Sequence, residues 1–194
     1  MKKKDASVNQ ITEGVIWKQL LFFFFPIMLG TLFQQLYNTA DAVVVGRFVG
    51  TQALAAVGGS TGQMVNLLVN FFVGLASGAT VIIARYYGAK KEKELNDTLH
   101  TAAALSVAGG IIISITGILL APFMMDLLKT PADVIEDSII YLRIYFAGII
   151  FVFIYNVGSA ILRAVGDSTR PLYFLIVCCF LNIFLDIILV VGLN

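Results

Sequence analysis

An all-α integral membrane protein is expected from composition, segment length and the physics of the lipid solvent. Of 194 residues, 59% are hydrophobic and only 13% charged, with a mean hydropathy of +0.90; a soluble domain carries about 25% charged residues. Five apolar stretches each reach the roughly 20 residues that a helix needs to cross a hydrocarbon core. Lipid offers backbone groups no partners, so spans are helical unless strands close into a barrel, and the short alternating segments of a barrel are missing.

The first span is placed at Ile16 to Ala40. Val15, Ile16 and Trp17 beside Glu13 and Lys18 read as an interfacial turn with the indole at headgroup level. Met1 to Lys4 followed by apolar residues mimics a signal peptide, but the apolar run far exceeds the ~7 to 15 residues of such a region, so an uncleaved span is expected. Pro26 falls mid-span, removes a backbone donor and makes this helix a candidate hinge. Gln34, Tyr37, Asn38 and Asp41 follow at i, i+3, i+4, i+7, one polar face near the outer end.

The second span, Leu54 to Ala84, carries Gly59, Gln63, Asn66, Asn70, Gly74 and Ser77 along one face, with Gly58, Gly62 and Gly78 nearby. Small residues let helices approach closely in lipid, so packing is the first expectation; a cavity lining of Gln63, Asn66 and Asn70 is the alternative. The third span, Leu99 to Ala121, has a lone His100 near its inner end, read as a surface or capping residue. The fourth, Ile139 to Leu162, presents Gly148, Asn156 and Ser159 on one stripe with Tyr155 beside it. The fifth, Leu172 to Leu193, holds Asn182 and Asp186 four residues apart, continuing inward to Cys178 and Cys179. The adjacent cysteines read as small apolar residues, with no metal spacing.

Ten of the thirteen basic residues fall on one side of this arrangement: Lys2, Lys3, Lys4, Lys18, Arg85, Lys90, Lys91, Lys93, Arg163 and Arg170. The opposite loops hold Arg47 and Lys129, with Arg143 just inside the fourth span, while Asp126, Asp133, Glu136 and Asp137 make the third-to-fourth loop acidic. Basic loops stay in the cytoplasm, so the N-terminus is expected inside and the C-terminus outside. That orientation places the Asn96-Asp97-Thr98 sequon in the cytoplasm, where it has no meaning. With a net charge of +1 and no contiguous basic surface, nucleic acid is no expected partner. Walker loops, zinc-protease pairs and nucleophile elbows are also missing, and no enzyme activity is expected.

Two carboxylates, Asp41 closing one long uncharged run at its outer end and Asp186 embedded in another, carry the functional signal. An acidic side chain in hydrocarbon costs about 2.5 to 3.5 kcal/mol on insertion scales, so it normally faces a wet cavity or an ion path. At ~1.5 Å per residue, Asp41 lies about 34 Å from Lys18 and Asp186 about 24 Å from Arg170, both in the outer half. Asp186 has apolar residues on both sides; Asp41 could equally be a capping or solvated residue at a helix end. If the polar faces converge, two kinds of chemistry fit: a carboxyl that takes up and releases a proton, or a hard-oxygen cage of Asp and Asn for a small cation such as Na⁺.

Several segments together resemble the multidrug and toxic compound extrusion family. They are Pro26-Ile27-Met28, the run Gln34 to Asp41, Val45-Gly46-Arg47-Phe48-Val49-Gly50, Ala84 to Lys90, Leu162 to Pro171, and Asn182 with Asp186. The resemblance covers nearly the whole chain with the motifs in order. It implies a secondary antiporter that exports small amphipathic, often cationic organic compounds in exchange for H⁺ or Na⁺, with no other cofactor, in the cell membrane. It also implies two six-helix lobes. Residues 1–194 would then be five helices of the N-terminal lobe, whose partners are membrane lipid, a sixth helix and a C-terminal lobe outside this sequence. The coupling residues it implies are Asp41, Asp186, Asn182, Asn156 and Tyr37, with Gln34, Asn38, Gln63, Asn66 and Asn70 as cavity-lining candidates and Pro26 as hinge. A lipid-linked oligosaccharide flippase of the same superfamily would want a strongly cationic cavity, which these spans lack; a non-transporting membrane scaffold would tolerate apolar replacement of both aspartates.

Overall fold

A computed structural model describes residues 15–192. Lys2, Lys3, Lys4 and Glu13, and the end of the fifth span at Leu193, lie outside the described residues. The chain forms α1 (Ile16–Val44), a first π turn (Val45–Val49), α2 (Thr51–Gly58), α3 (Ser60–Gly88), α4 (Glu92–Leu127), α5 (Ile135–Ala164), α6 (Thr169–Asp186) and a second π turn (Ile187–Val191). No strand occurs among the described residues, and five helical stretches are long and apolar enough to span a membrane.

The helices outrun the expected spans at their ends, because hydropathy marks where lipid is and not where a helix stops. Helix α4 begins at Glu92, well before Leu99. Its charged opening turns use good helix formers, and Glu92 and Glu94 sit at the positive end of the helix dipole. Asp126, Glu136 and Asp137, expected in a loop, are helical, and Arg47 belongs to the first π turn. Expected span two is broken into α2 and α3 at Gly59, where an added Cβ would meet the Ala55 carbonyl oxygen at 2.5 Å. Pro26 lies inside an unbroken α1. At the other end of the chain Asp167 starts α6: its Oδ1 accepts from the Thr169 and Arg170 amides, each at 3.1 Å.

The core sits among α3, α4 and α5. Ala102, Ser106, Gly110, Gly117 and Ala121 recur at turn spacing on α4, all buried, against a matching row of Leu142, Phe146, Ile149 and Phe153 on α5. The small side chains of α4 let α5 approach until a Cβ at Gly110 would lie 3.0 Å from Ile150 Cγ1, and one at Gly117 would overlap the Phe146 ring. Phe72 of α3 closes the cluster by stacking on Phe153, ring centroids 4.3 Å apart. Helix α1 packs instead along α6, with Gly30 facing Leu172 and Leu175. Only limited backbone contact joins α6 to α5. Between the α1–α6 pair and the three-helix core, polar side chains face one another.

Candidate cation site

Asp41 is the centre of that seam. Helix α1 runs on through Val44 and the first π turn, so Asp41 is no helix end, and its half-buried side chain points at α6. Its carboxyl lies within hydrogen-bonding reach of the side chains of Asn182 and Asp186. These two stand one turn apart on α6 and therefore share a face. From α5, Tyr141 lies within electrostatic range of Asp41. Tyr37, one turn inward of Asp41, lies beside Gln34 and has Asp41, Tyr155 and Cys178 as electrostatic neighbours; Tyr145 has Tyr141 and Tyr37 as its own.

Two oxygens of the cluster, Asn182 Oδ1 and Asp186 Oδ2, are buried without a hydrogen-bond partner among the described residues. A buried acceptor left unpaired costs about 1 to 3 kcal/mol, and more when charged. Two carboxyl groups this close, away from water, are tolerable only with positive charge between them, supplied by a proton or a metal cation. The donor set of carboxylate and carboxamide oxygens suits a hard cation as well as a proton.

Asn156 lies about 22 Å along α5 from Tyr141 by helical rise, and its Nδ2 donates to the Val152 carbonyl at 2.8 Å, so it does not touch the carboxyl pair. Ser159 is buried in the helix packing and a Cβ added at Gly148 would meet nothing within 4 Å; both share the α5 stripe of Tyr141 and Tyr145, and it is the outer, tyrosine-bearing end of that stripe that comes near Asp41. Asn38 is exposed, with Nδ2 3.4 Å from Gln35 Oε1. Gln63, Asn66 and Asn70 are exposed on α3, on the side opposite buried Phe72 and Ala76. Among the described residues nothing packs on this glycine face: a Cβ added at Gly74 or Gly78 would meet nothing within 4 Å, because α3 meets α4 and α5 through its aromatic and alanine side. Tyr141 and Tyr145 were overlooked in the sequence, although an i, i+4 tyrosine pair near the outer end of a span is a visible signal.

The family model MatE matches residues 26–188. The chain belongs to the MatE family. It is 33% identical over 178 residues to the probable multidrug resistance protein YoeA of Bacillus subtilis, an alignment covering 92% of this chain and 38% of that protein. Among solved structures it is similar to MATE in the straight conformation, with a TM-score of 0.84, and in the bent conformation, with a TM-score of 0.82. Both are 30% identical, cover 91% and 92% of this chain, and each match takes in 39% of the solved chain. The chain thus spans about two fifths of the length of these MatE relatives and is a multi-pass protein of the cell membrane.

Proposed function

We propose that this MatE chain is five helices of the N-terminal lobe of an antiporter that exports small amphipathic, often cationic organic compounds in exchange for H⁺ or Na⁺. One observation carries the reading: the Asp41 and Asp186 carboxyls meet across α1 and α6 beside Asn182, with two buried oxygens left unpaired. A scaffold has no use for so costly a pair, whereas a transporter needs a site whose occupancy by a cation changes its conformational preference. The name of the Bacillus subtilis relative supports efflux as the activity. The distribution of basic residues supports a cytoplasmic N-terminus.

In the proposed cycle a cation from outside enters the Asp41–Asp186 site and neutralises the pair. Helix α1, already deprived of one backbone bond at Pro26, bends there and moves its polar face, which lowers affinity for the exported compound. Release of the cation inward resets the helix. The solved relatives in straight and bent conformations support a bistable element of this kind. Coupling can be no stronger than the difference in cation affinity between the two states.

The test is Asp186→Asn in the full-length protein, assayed in vesicles with an imposed pH or sodium gradient and a fluorescent organic cation. Efflux is expected to stop, or to lose its dependence on the gradient, at unchanged membrane levels. Gradient-driven efflux equal to wild type would remove the site assignment. The wild-type response to each gradient identifies the coupling ion.

A further inference from the structure

Both aspartates stand just ahead of the same backbone irregularity. Four residues after Asp41, the Val45 carbonyl accepts from the Gly50 amide at 3.0 Å, a bond spanning five residues. Directly after Asp186, the Gly192 amide donates to the Ile187 carbonyl at 3.1 Å, again spanning five, and shares that donation with the Ile188 carbonyl at 3.2 Å. Each bond closes a π turn that ends at a glycine, and the two π turns pack against each other. A π turn holds one residue more than an α turn, is rare, and occurs frequently at functional sites. The first one is also pressed onto α2: a Cβ at Gly46 would lie 3.1 Å from Leu54 Cδ2.

We infer that the paired π turns are the positioning element of the carboxyl pair, with Gly46 against Leu54 fixing the first of them. The inference rests on the antiport reading for its functional consequence, but its geometry stands apart from it. The outer ends of α1 and α6 are docked, on α2 and on each other. With those ends held, the residue count between the dock and the aspartate fixes where the aspartate points. Removing one residue from a turn rotates what precedes it by about 100° and shifts it by about 1.5 Å. Such a rotation carries Asp41 off Asn182 and Asp186 on α6 and off Tyr141 on α5, the groups near it besides Tyr37 of its own helix. Each carboxylate thus has one extra residue beyond it, four residues on from Asp41 and directly after Asp186, and the two extra residues together aim the acids at a common point.

The experiment reads the geometry first and coupling second, in the full-length protein. With Cys178 and Cys179 replaced by alanine, Asp41→Cys and Asp186→Cys are joined by a short bifunctional thiol reagent; deletion of Val45 is expected to abolish the cross-link, and its persistence at the undeleted yield overturns the inference. Gly46→Ala is the milder variant. On the wild-type background it is expected to shift the midpoint of proton or sodium dependence of efflux by roughly tenfold, the scale on which an outer partner acts on a cation site. Adding Leu54→Ala vacates the space and restores it. In the cysteine pair Gly46→Ala lowers the cross-link yield and Leu54→Ala recovers it, which decides the matter if the deletion does not insert. Reduced protein level with an unmoved midpoint and yield would mean that the turns are only structural. Wild-type efflux independent of both gradients sinks the antiport reading, and the cross-links still decide this one.

Discussion

Replacing Gly117 by alanine tests whether the α4–α5 seam is as tight as it is drawn. Gly117 is buried, and an added Cβ would fall within the space of the Phe146 ring, well inside the 3.4–4 Å of ordinary contact. The ring has to retreat by about 1 Å or more, yet Phe146 is 1% exposed and backed by the fully buried Leu142 and Ile149. Overpacking of this kind costs about 1 to 3 kcal/mol, and the better helix propensity of alanine returns about 1 kcal/mol at most, so the steric term wins. Phe146→Leu in the same chain makes room, and the double variant should be more stable than the two single effects predict, by a coupling of about 0.5 kcal/mol or more. The assay is the thermal midpoint of the detergent-purified full-length protein, expected to fall by about 2 °C or more for Gly117→Ala. An unchanged or raised midpoint, or a double variant no better than additive, would refute the close approach.

Three further outcomes are expected. Gly50 has φ +119° and ψ 174° between the first π turn and α2; Gly50→Ala forces a side chain into a region reserved for glycine and should cost about 1 to 3 kcal/mol, read as a lower thermal midpoint. Asp167→Ala removes the acceptor at the start of α6 and should cost about 1 kcal/mol, while Asp167→Asn, which keeps the side-chain oxygen, retains most of the stability; the exposed Arg170 Nε contact to Asp167 Oδ2 at 3.1 Å adds little. Tyr141→Phe removes the phenol near Asp41 and should shift the cation midpoint of efflux at unchanged membrane levels, whereas Tyr173→Phe, on an exposed position of α6, should leave it alone.

Span number and helical character were readable from the sequence because both are dictated by the solvent: hydrocarbon demands long apolar stretches and leaves the backbone only itself to bond to. Span ends were less readable. Charged residues such as those opening α4 are excellent helix formers that merely avoid lipid, so the helix outlasts the apolar run. The break at Gly59 uses a backbone conformation in which a Cβ would strike the Ala55 carbonyl, a requirement for glycine that hydropathy does not encode.

Helix faces were the harder matter. Within the fifth span Asn182 and Asp186 stood out because the residues around them are apolar, and their shared face follows from helical spacing alone. That α6 turns this face to Asp41 does not, since most of α1 and α6 is apolar all round and pattern cannot fix their rotation. Asn156 illustrates the limit: its chemistry matched its expected companions, but its height on α5 sets it apart from the carboxyl pair. Gly74 and Gly78 carried the signal of close packing, yet the glycines that let helices touch are Gly110 and Gly117 on α4.

The amino-acid sequence by itself determined five membrane-crossing helices, two acidic residues too costly to be incidental, and, through the family resemblance, a cation-coupled transporter as the expectation. Tertiary structure alone decided that α1 lies on α6 while α5 lies on α4, that Tyr141 comes within electrostatic range of Asp41, and that π turns abut just beyond both aspartates. Transfer from water to lipid depends on each residue's own chemistry and is therefore written locally. Helix rotation and pairing depend on shape complementarity between segments far apart in the chain, and only the packed molecule expresses it.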